Sequence, residues 1–175
     1  KNINIEVVVM GVDKDVFHVT NHDPREKIGI CAAFYDRKNP ELIHRLIKKL
    51  PEFEFQLIGK RWNDYPLFLK LLESKNFEYL KDIPYSQYPV YYNNFKIFLS
   101  VSKLEGGPIP LVESMACGCY PIVSDTGAAR DVIKSESDGL VIKLSGNLDV
   151  DLENFANAIY SRINSKNISV NILEK

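Results

Sequence analysis

Two continuous apolar runs constrain this chain most. Residues 28–34 (IGICAAF) and 95–101 (FKIFLSV) lack the polar–apolar alternation of a strand with one wet face. Such runs belong to strands covered on both sides, the habit of parallel sheets. Between the apolar runs lie segments with helical period. Leu42, Ile43, Leu46, Ile47 and Leu50 share one face of a helix, with His44, Arg45, Lys48 and Lys49 opposite. Further strands are expected at 53–58, 77–80, 120–124 and 139–144, and further helices at 66–74, 87–93, 111–116 and 128–133. A last helix is marked by Leu152, Phe155, Ala156, Ile159 and Ile163, and residues 164–175 read as a frayed or truncated tail. Regular strand–helix alternation predicts an α/β domain, a parallel sheet with helices on both faces, and ligands bind such sheets at the carboxyl ends of the strands.

Composition narrows the function classes. The 175 residues suffice for one domain with a real core. Lys plus Arg (22) and Asp plus Glu (23) nearly cancel, which argues against nucleic acid as a partner, because phosphate backbones need a basic excess. No apolar run is long enough to span a bilayer, and residues 1–5 (KNINI) do not make a signal peptide. Cys31, Cys117 and Cys119 are an odd set with poor spacing for zinc, and read as small buried thiols. No cluster of Asp and His suggests a metal, and Trp62, Tyr65, Tyr91 and Tyr92 are better used in a core than on a partner or membrane face.

The chemistry is concentrated in residues 102–123 (SKLEGGPIPLVESMACGCYPIV), which follow the clearest buried strand. Gly106 and Gly107 let the backbone approach a ligand, and Pro108 and Pro110 prepare a helix start. Free N–H groups of Leu111, Val112 and Glu113 are expected to point out of that helix end and form an anion site. Glu105 and Glu113 bracket the loop with seven residues between them. A carboxylate in the first helical turn can accept from two ribose hydroxyls, since both are donors.

The segment from Glu105 to Asp125 resembles the signature of family four of the glycosyltransferases, also called glycosyl transferases group 1, which are retaining enzymes of GT-B fold. Weaker matches follow in the family's order: Gly11-Val12-Asp13 with Phe17, Arg37-Lys38-Asn39, Gly127-Ala128-Ala129-Arg130-Asp131 and Asp138-Gly139-Leu140-Val141. The resemblance covers about residues 8–160 and implies a Rossmann-like domain, the C-terminal, donor-binding half of a GT-B enzyme. It implies that Lys38 neutralises the donor diphosphate and that Glu105 meets the transferred sugar or its developing positive charge, the two being the catalytic candidates. Glu113 would hold the ribose, the backbone of Leu111 and Val112 would meet the phosphates, and Gly106, Gly107, Ile109 and Pro110 would line the sugar. Two departures stand out. The Arg that the family carries after the first strand is replaced by Ala32-Ala33-Phe34, so the second cation is either missing or supplied by Arg37. Asp82 stands where members often have Gly, beside Ile83 at the base.

The implied reaction moves a sugar from a nucleotide-diphosphate donor to an acceptor hydroxyl with retention and without a metal or other cofactor, in polysaccharide or glycoconjugate synthesis. By the same resemblance the whole chain is one donor-binding domain, residues 1–20 are the interdomain junction, and the amino-terminal acceptor domain is absent. The isolated fragment is then expected to be inactive. Its expected place is the cytoplasm or the inner face of the membrane, with peripheral association left to the missing domain. Two rivals are a non-catalytic nucleotide-sugar binding module and a sugar-nucleotide epimerase on the same fold. A glycoside hydrolase also pairs carboxylates across a bond, but has no use for an anion-binding helix start.

Overall fold

The computed structural model describes residues 11–164. Six strands form one sheet: β1 (Lys27–Cys31), β2 (Phe55–Gly59), β3 (Phe77–Lys81), β4 (Phe95–Ser100), β5 (Tyr120–Ser124) and β6 (Leu140–Ile142). Every pairing is parallel, in the order β3-β2-β1-β4-β5-β6. The chain therefore winds outward from β1 to β3, returns to lay β4 beside β1, and winds out the other way. The crevice between β1 and β4 is the point where strand order reverses.

Helices α1 (Pro40–Lys49), α2 (Phe68–Leu72), α3 (Tyr88–Tyr92), α4 (Ile109–Ala116), α5 (Ala129–Val132) and α6 (Leu148–Ile163) complete the fold. Two buried clusters lie on the two faces of the sheet. One gathers Leu42, Leu46 and Ile47 of α1 with Phe155 and Ile159 of α6 against Ile28, Ile30, Leu57 and Leu99. The other gathers Leu111, Met115 and Ala116 of α4 with Phe17, Tyr92, Phe95 and Phe98. The central strands carry both sets, which is why their sequences run apolar without alternation. Edge strands β3 and β6 contain no fully buried residue.

The expected elements are all present, with shifted ends. β1 stops at Cys31, three residues short of the apolar run. Beyond it the carbonyl of Ala32 accepts from the Trp62 indole at 2.8 Å, while Ala32 and Phe34 still donate their N–H groups to Ile58 and Lys60 at 2.9 and 2.8 Å. The helix expected at 66–74 shortens to α2, with a separate 3-10 turn, Trp62–Asp64, before it. The helix expected at 87–93 begins earlier as a 3-10 turn, Tyr85–Gln87, before α3. α6 starts four residues before the first of the five apolar positions, because the side chain of Asn147 caps the N–H groups of Asp149 and Val150. Asn164 closes α6; the rest of the expected tail and residues 1–10 of the expected junction lie outside the described residues.

The core aromatics confirm the sequence expectation in part. Trp62 and Tyr92 are fully buried and Tyr65 nearly so, while Tyr91 is half-buried. Cys117 and Cys119 are buried and Cys31 half-buried, all three free. Burial pushes the Cys31 thiol up to about 11 and that of Cys117 to about 12. Protonated thiols of this kind are poor nucleophiles and poor metal ligands.

Candidate functional site

Four segments meet at the carboxyl ends of β1 and β4. After β1 the chain makes a 3-10 turn, Asp36–Lys38, closed by Asn39 in the left-handed region (φ 57°). That turn presents Arg37 and Lys38 together. After β4 the chain runs out through Ser102 to Glu105, tied to the first turn by Lys103 N–H donating to the Arg37 carbonyl at 2.7 Å.

The three charged side chains converge. Lys38 Nζ donates to Glu105 Oε1, and Arg37 donates to Glu105 Oε2 at 3.0 Å. The Glu105 side chain is 8 % exposed, that of Lys38 16 % and that of Arg37 45 %. Burial alone would raise the Glu105 carboxyl. Hydrogen bonds from Lys38 and Ser102, with the charges of Lys38 and Arg37, outweigh it and leave Glu105 below its ordinary range. Arg37 thus stands as a second cation on Glu105, beside Lys38.

The loop from Glu105 to the helix is held from below. Ala128 N–H donates to the Gly106 carbonyl at 3.0 Å. Gly127 sits at φ +54°, and a Cβ there would lie 2.2 Å from the Gly106 oxygen. Gly106 itself is exposed, and a Cβ on it would meet nothing within 4 Å. The protein's own packing therefore gives no reason for glycine at 106. Gly107 and Ile109 are exposed beside it, and Pro110 is half-buried.

The helix start differs from the sequence expectation. α4 begins at Ile109, two residues earlier, with Pro110 in its first turn. The Leu111 N–H donates to the Pro108 carbonyl at 2.9 Å, so it is not one of the free donors expected there. Leu111, Val112 and Glu113 are all buried. Pro108 and Pro110 carry no N–H, so the backbone N–H groups that flank them are those of Gly107 and Ile109.

Glu113 lies in the first turns of α4 and is 2 % exposed. Tyr85 donates its hydroxyl to Oε1, and Tyr92 donates to Oε2 at 3.2 Å. Burial pushes the Glu113 carboxyl up, and the two hydroxyls partly offset this. Neither tyrosine was legible as a Glu113 partner in the sequence, because the contact joins residues 28 and 21 positions apart. Ile83 packs partly buried against the α4 cluster. Its neighbour Asp82 adopts φ 55°, the left-handed conformation that Gly would favour, so the departure from Gly leaves a glycine-like backbone in place. Among the described residues no group of three His, Cys, Asp or Glu side chains is placed to hold a metal ion.

This constellation on this sheet can be set against known proteins. The family model described as glycosyl transferases group 1 matches residues 12–169. The chain belongs to that family. A relative of this glycosyltransferase-family chain, named "Putative glycosyltransferase 41", comes from Sulfolobus islandicus filamentous virus (isolate Iceland/Hveragerdi). It is 32% identical over 130 residues, spanning 73% of this chain and 33% of the relative. Among solved structures, the C-terminal domain of a glycosyl transferase group 1 family protein from Francisella tularensis superposes with TM-score 0.75 at 20% identity, over 93% of this chain and 92% of that one. Sucrose-phosphate synthase from Thermosynechococcus elongatus gives TM-score 0.72 at 22% identity, over 86% of this chain and 41% of that one. At these identities the two structures establish the fold, that of GT-B C-terminal domains. The chain spans about a third of the viral relative and less than half of the synthase. No helix among the described residues is long and apolar enough to cross a membrane.

Proposed function

We propose that this chain is the donor-binding part of a glycosyltransferase that moves a sugar from a nucleotide-diphosphate donor to an acceptor hydroxyl with retention. The observation that carries the reading is the convergence of Arg37, Lys38 and Glu105 at the β1/β4 crevice, with Glu113 at the start of α4. Lys38 and Arg37 neutralise the diphosphate, and N–H groups at the start of α4 add fixed positive ends of dipoles. Charge builds on the leaving diphosphate as its bond to the sugar breaks, so cations fixed there lower the barrier without reorganising. Glu105 faces the sugar from the same cation pair, positioned to meet developing positive charge on the ring. Gly106, Gly107, Ile109 and Pro110 line the sugar, the N–H groups of Gly107 and Ile109 ahead of the buried Leu111 and Val112 face the phosphates, Glu113 receives the ribose, and Ile83 borders the base.

Under this reading acceptor choice belongs to a second domain, a view supported by the limited share of its longer relatives that the chain spans. Polysaccharide or glycoconjugate synthesis is the setting we propose. The test is calorimetric titration of the folded chain with uridine, guanosine and thymidine diphosphates, alongside Glu113→Ala and Lys38→Ala. One nucleotide should bind and both substitutions should weaken it. Failure of all three to bind would remove the donor-site reading.

A further inference from the structure

The carboxylate at position 113 is closed off from solvent. At 2 % exposure, a residue that water hardly touches is out of reach of a ribose, which is far larger. A ligand diol can meet Glu113 only after something moves, and the two hydroxyl donors on it are unequal candidates.

Tyr92 cannot move cheaply. It is fully buried, with Tyr88, Phe95 and Phe98 edge-on around it at 6.0 to 6.3 Å between ring centroids and Phe17 tilted against it at 6.1 Å. Close packing of this kind holds its hydroxyl on Oε2.

Tyr85 is differently placed. It lies on the 3-10 turn Tyr85–Gln87, in which no residue is buried, and the residue is 58 % exposed. Its ring leans on Phe17 at 5.6 Å and on Tyr88 at 5.4 Å, both on its inner side. Rotation about its side-chain bonds carries the ring into solvent without opening the core. A tyrosine hydroxyl and a ribose hydroxyl offer a carboxylate the same thing, one O–H donor.

Resting on the donor-site reading above, we infer that Tyr85 is a displaceable stand-in for the ribose: its hydroxyl holds the place of a ribose hydroxyl on Glu113 Oε1 and leaves when a ribonucleoside diphosphate binds. The exchange is donor for donor, so the buried carboxylate never goes without a partner. Tyr92 stays on Oε2, whose second lone pair remains open to the other hydroxyl of the diol. Only a ligand with a ribose diol can take that place. A ligand lacking it has no donor to exchange, so Tyr85 keeps its bond to Glu113 and no acceptor is stranded.

The experiment is nucleotide titration of the whole chain as wild type, Tyr85→Phe and Glu113→Ala, using the ribonucleoside diphosphate that binds best and its 2′,3′-dideoxy analogue. Phe keeps the ring and removes only the bond to be broken, so the ribonucleotide should bind about fivefold tighter, the equivalent of one net hydrogen bond. The dideoxy analogue should gain clearly less than the ribonucleotide. Unchanged or weaker ribonucleotide binding by Tyr85→Phe would overturn the inference, as would an equal gain for the dideoxy analogue. If wild type binds and Glu113→Ala weakens it while Tyr85→Phe does nothing, the donor site stands and the stand-in role falls alone. If no nucleotide binds to wild type or Tyr85→Phe, both fall together.

Discussion

Alanine at two glycines twenty-one residues apart should act with opposite sign on stability. At Gly127 the backbone is left-handed, φ +54°, where an L side chain costs roughly 1–2 kcal/mol. The added Cβ would also lie 2.2 Å from the Gly106 oxygen and 2.9 Å from that of Glu105. Both are backbone atoms, so the loop must retreat by about 1 Å to restore ordinary contact. That movement takes the Gly106 carbonyl off the Ala128 N–H, now at 3.0 Å, for about 0.5–1.5 kcal/mol more. Gly127→Ala should therefore cost about 1.5–3.5 kcal/mol. At Gly106 a Cβ meets nothing within 4 Å and φ lies outside the left-handed region. Gly106→Ala should be neutral or stabilise by up to about 1 kcal/mol, by restricting the unfolded chain. Its methyl nevertheless stands where the backbone would approach a donor, so it should weaken nucleotide binding. Urea unfolding followed by fluorescence of Trp62, the single and fully buried tryptophan, reads both. The Gly127→Ala midpoint should fall by about 1–2 M. A Gly127→Ala midpoint within experimental error of wild type, or a Gly106→Ala midpoint that drops as far as Gly127→Ala, would refute the reasoning.

The two carboxylates should give opposite pH signatures. Glu105 is held below its ordinary range, so its contribution to stability is present above the unfolded carboxylate range and is lost as pH falls through its depressed value; Glu105→Gln should flatten the acid limb of the stability curve below about pH 4. Glu113 is pushed up, so its contribution is present below the unfolded value and is lost as pH rises towards the folded one; Glu113→Gln should flatten that fall, and unfolding midpoints taken from pH 3 to 8 test both. Asp82→Gly should be neutral or slightly stabilising, whereas Asp82→Val should lose about 1–2 kcal/mol in the same urea assay, because φ 55° suits Gly, is tolerated by Asp and excludes a β-branched side chain.

Much of the fold was legible because its determinants are local. The apolar runs at 28–34 and 95–101 could be satisfied only by strands covered on both faces, and they became the two central strands. The Gly and Pro punctuation before α4, and Gly118 at φ +83° after it, announced the helix and its end. Glu105 and Lys38 were also readable, because each follows one of those two strands and so had to surface at the same sheet edge.

What the sequence left open depends on contacts between distant residues. Six strands in regular alternation do not by themselves say that β4 returns to β1, yet that return creates the crevice and brings Lys38 to Glu105 across 67 positions. Arg37 was a substitute cation by elimination; the Lys103–Arg37 backbone bond is what places it. The free N–H of Leu111 was expected from helix geometry, and a single turn of different pitch at Pro108 consumed it. Tyr85 and Tyr92 became donors to Glu113 only through packing of α3 and its preceding turn beside α4. Periodicity and turn chemistry act over a few residues and so fix element type; burial of a carboxylate, and which hydroxyl answers it, are decided by the surfaces that meet when the elements close on one another.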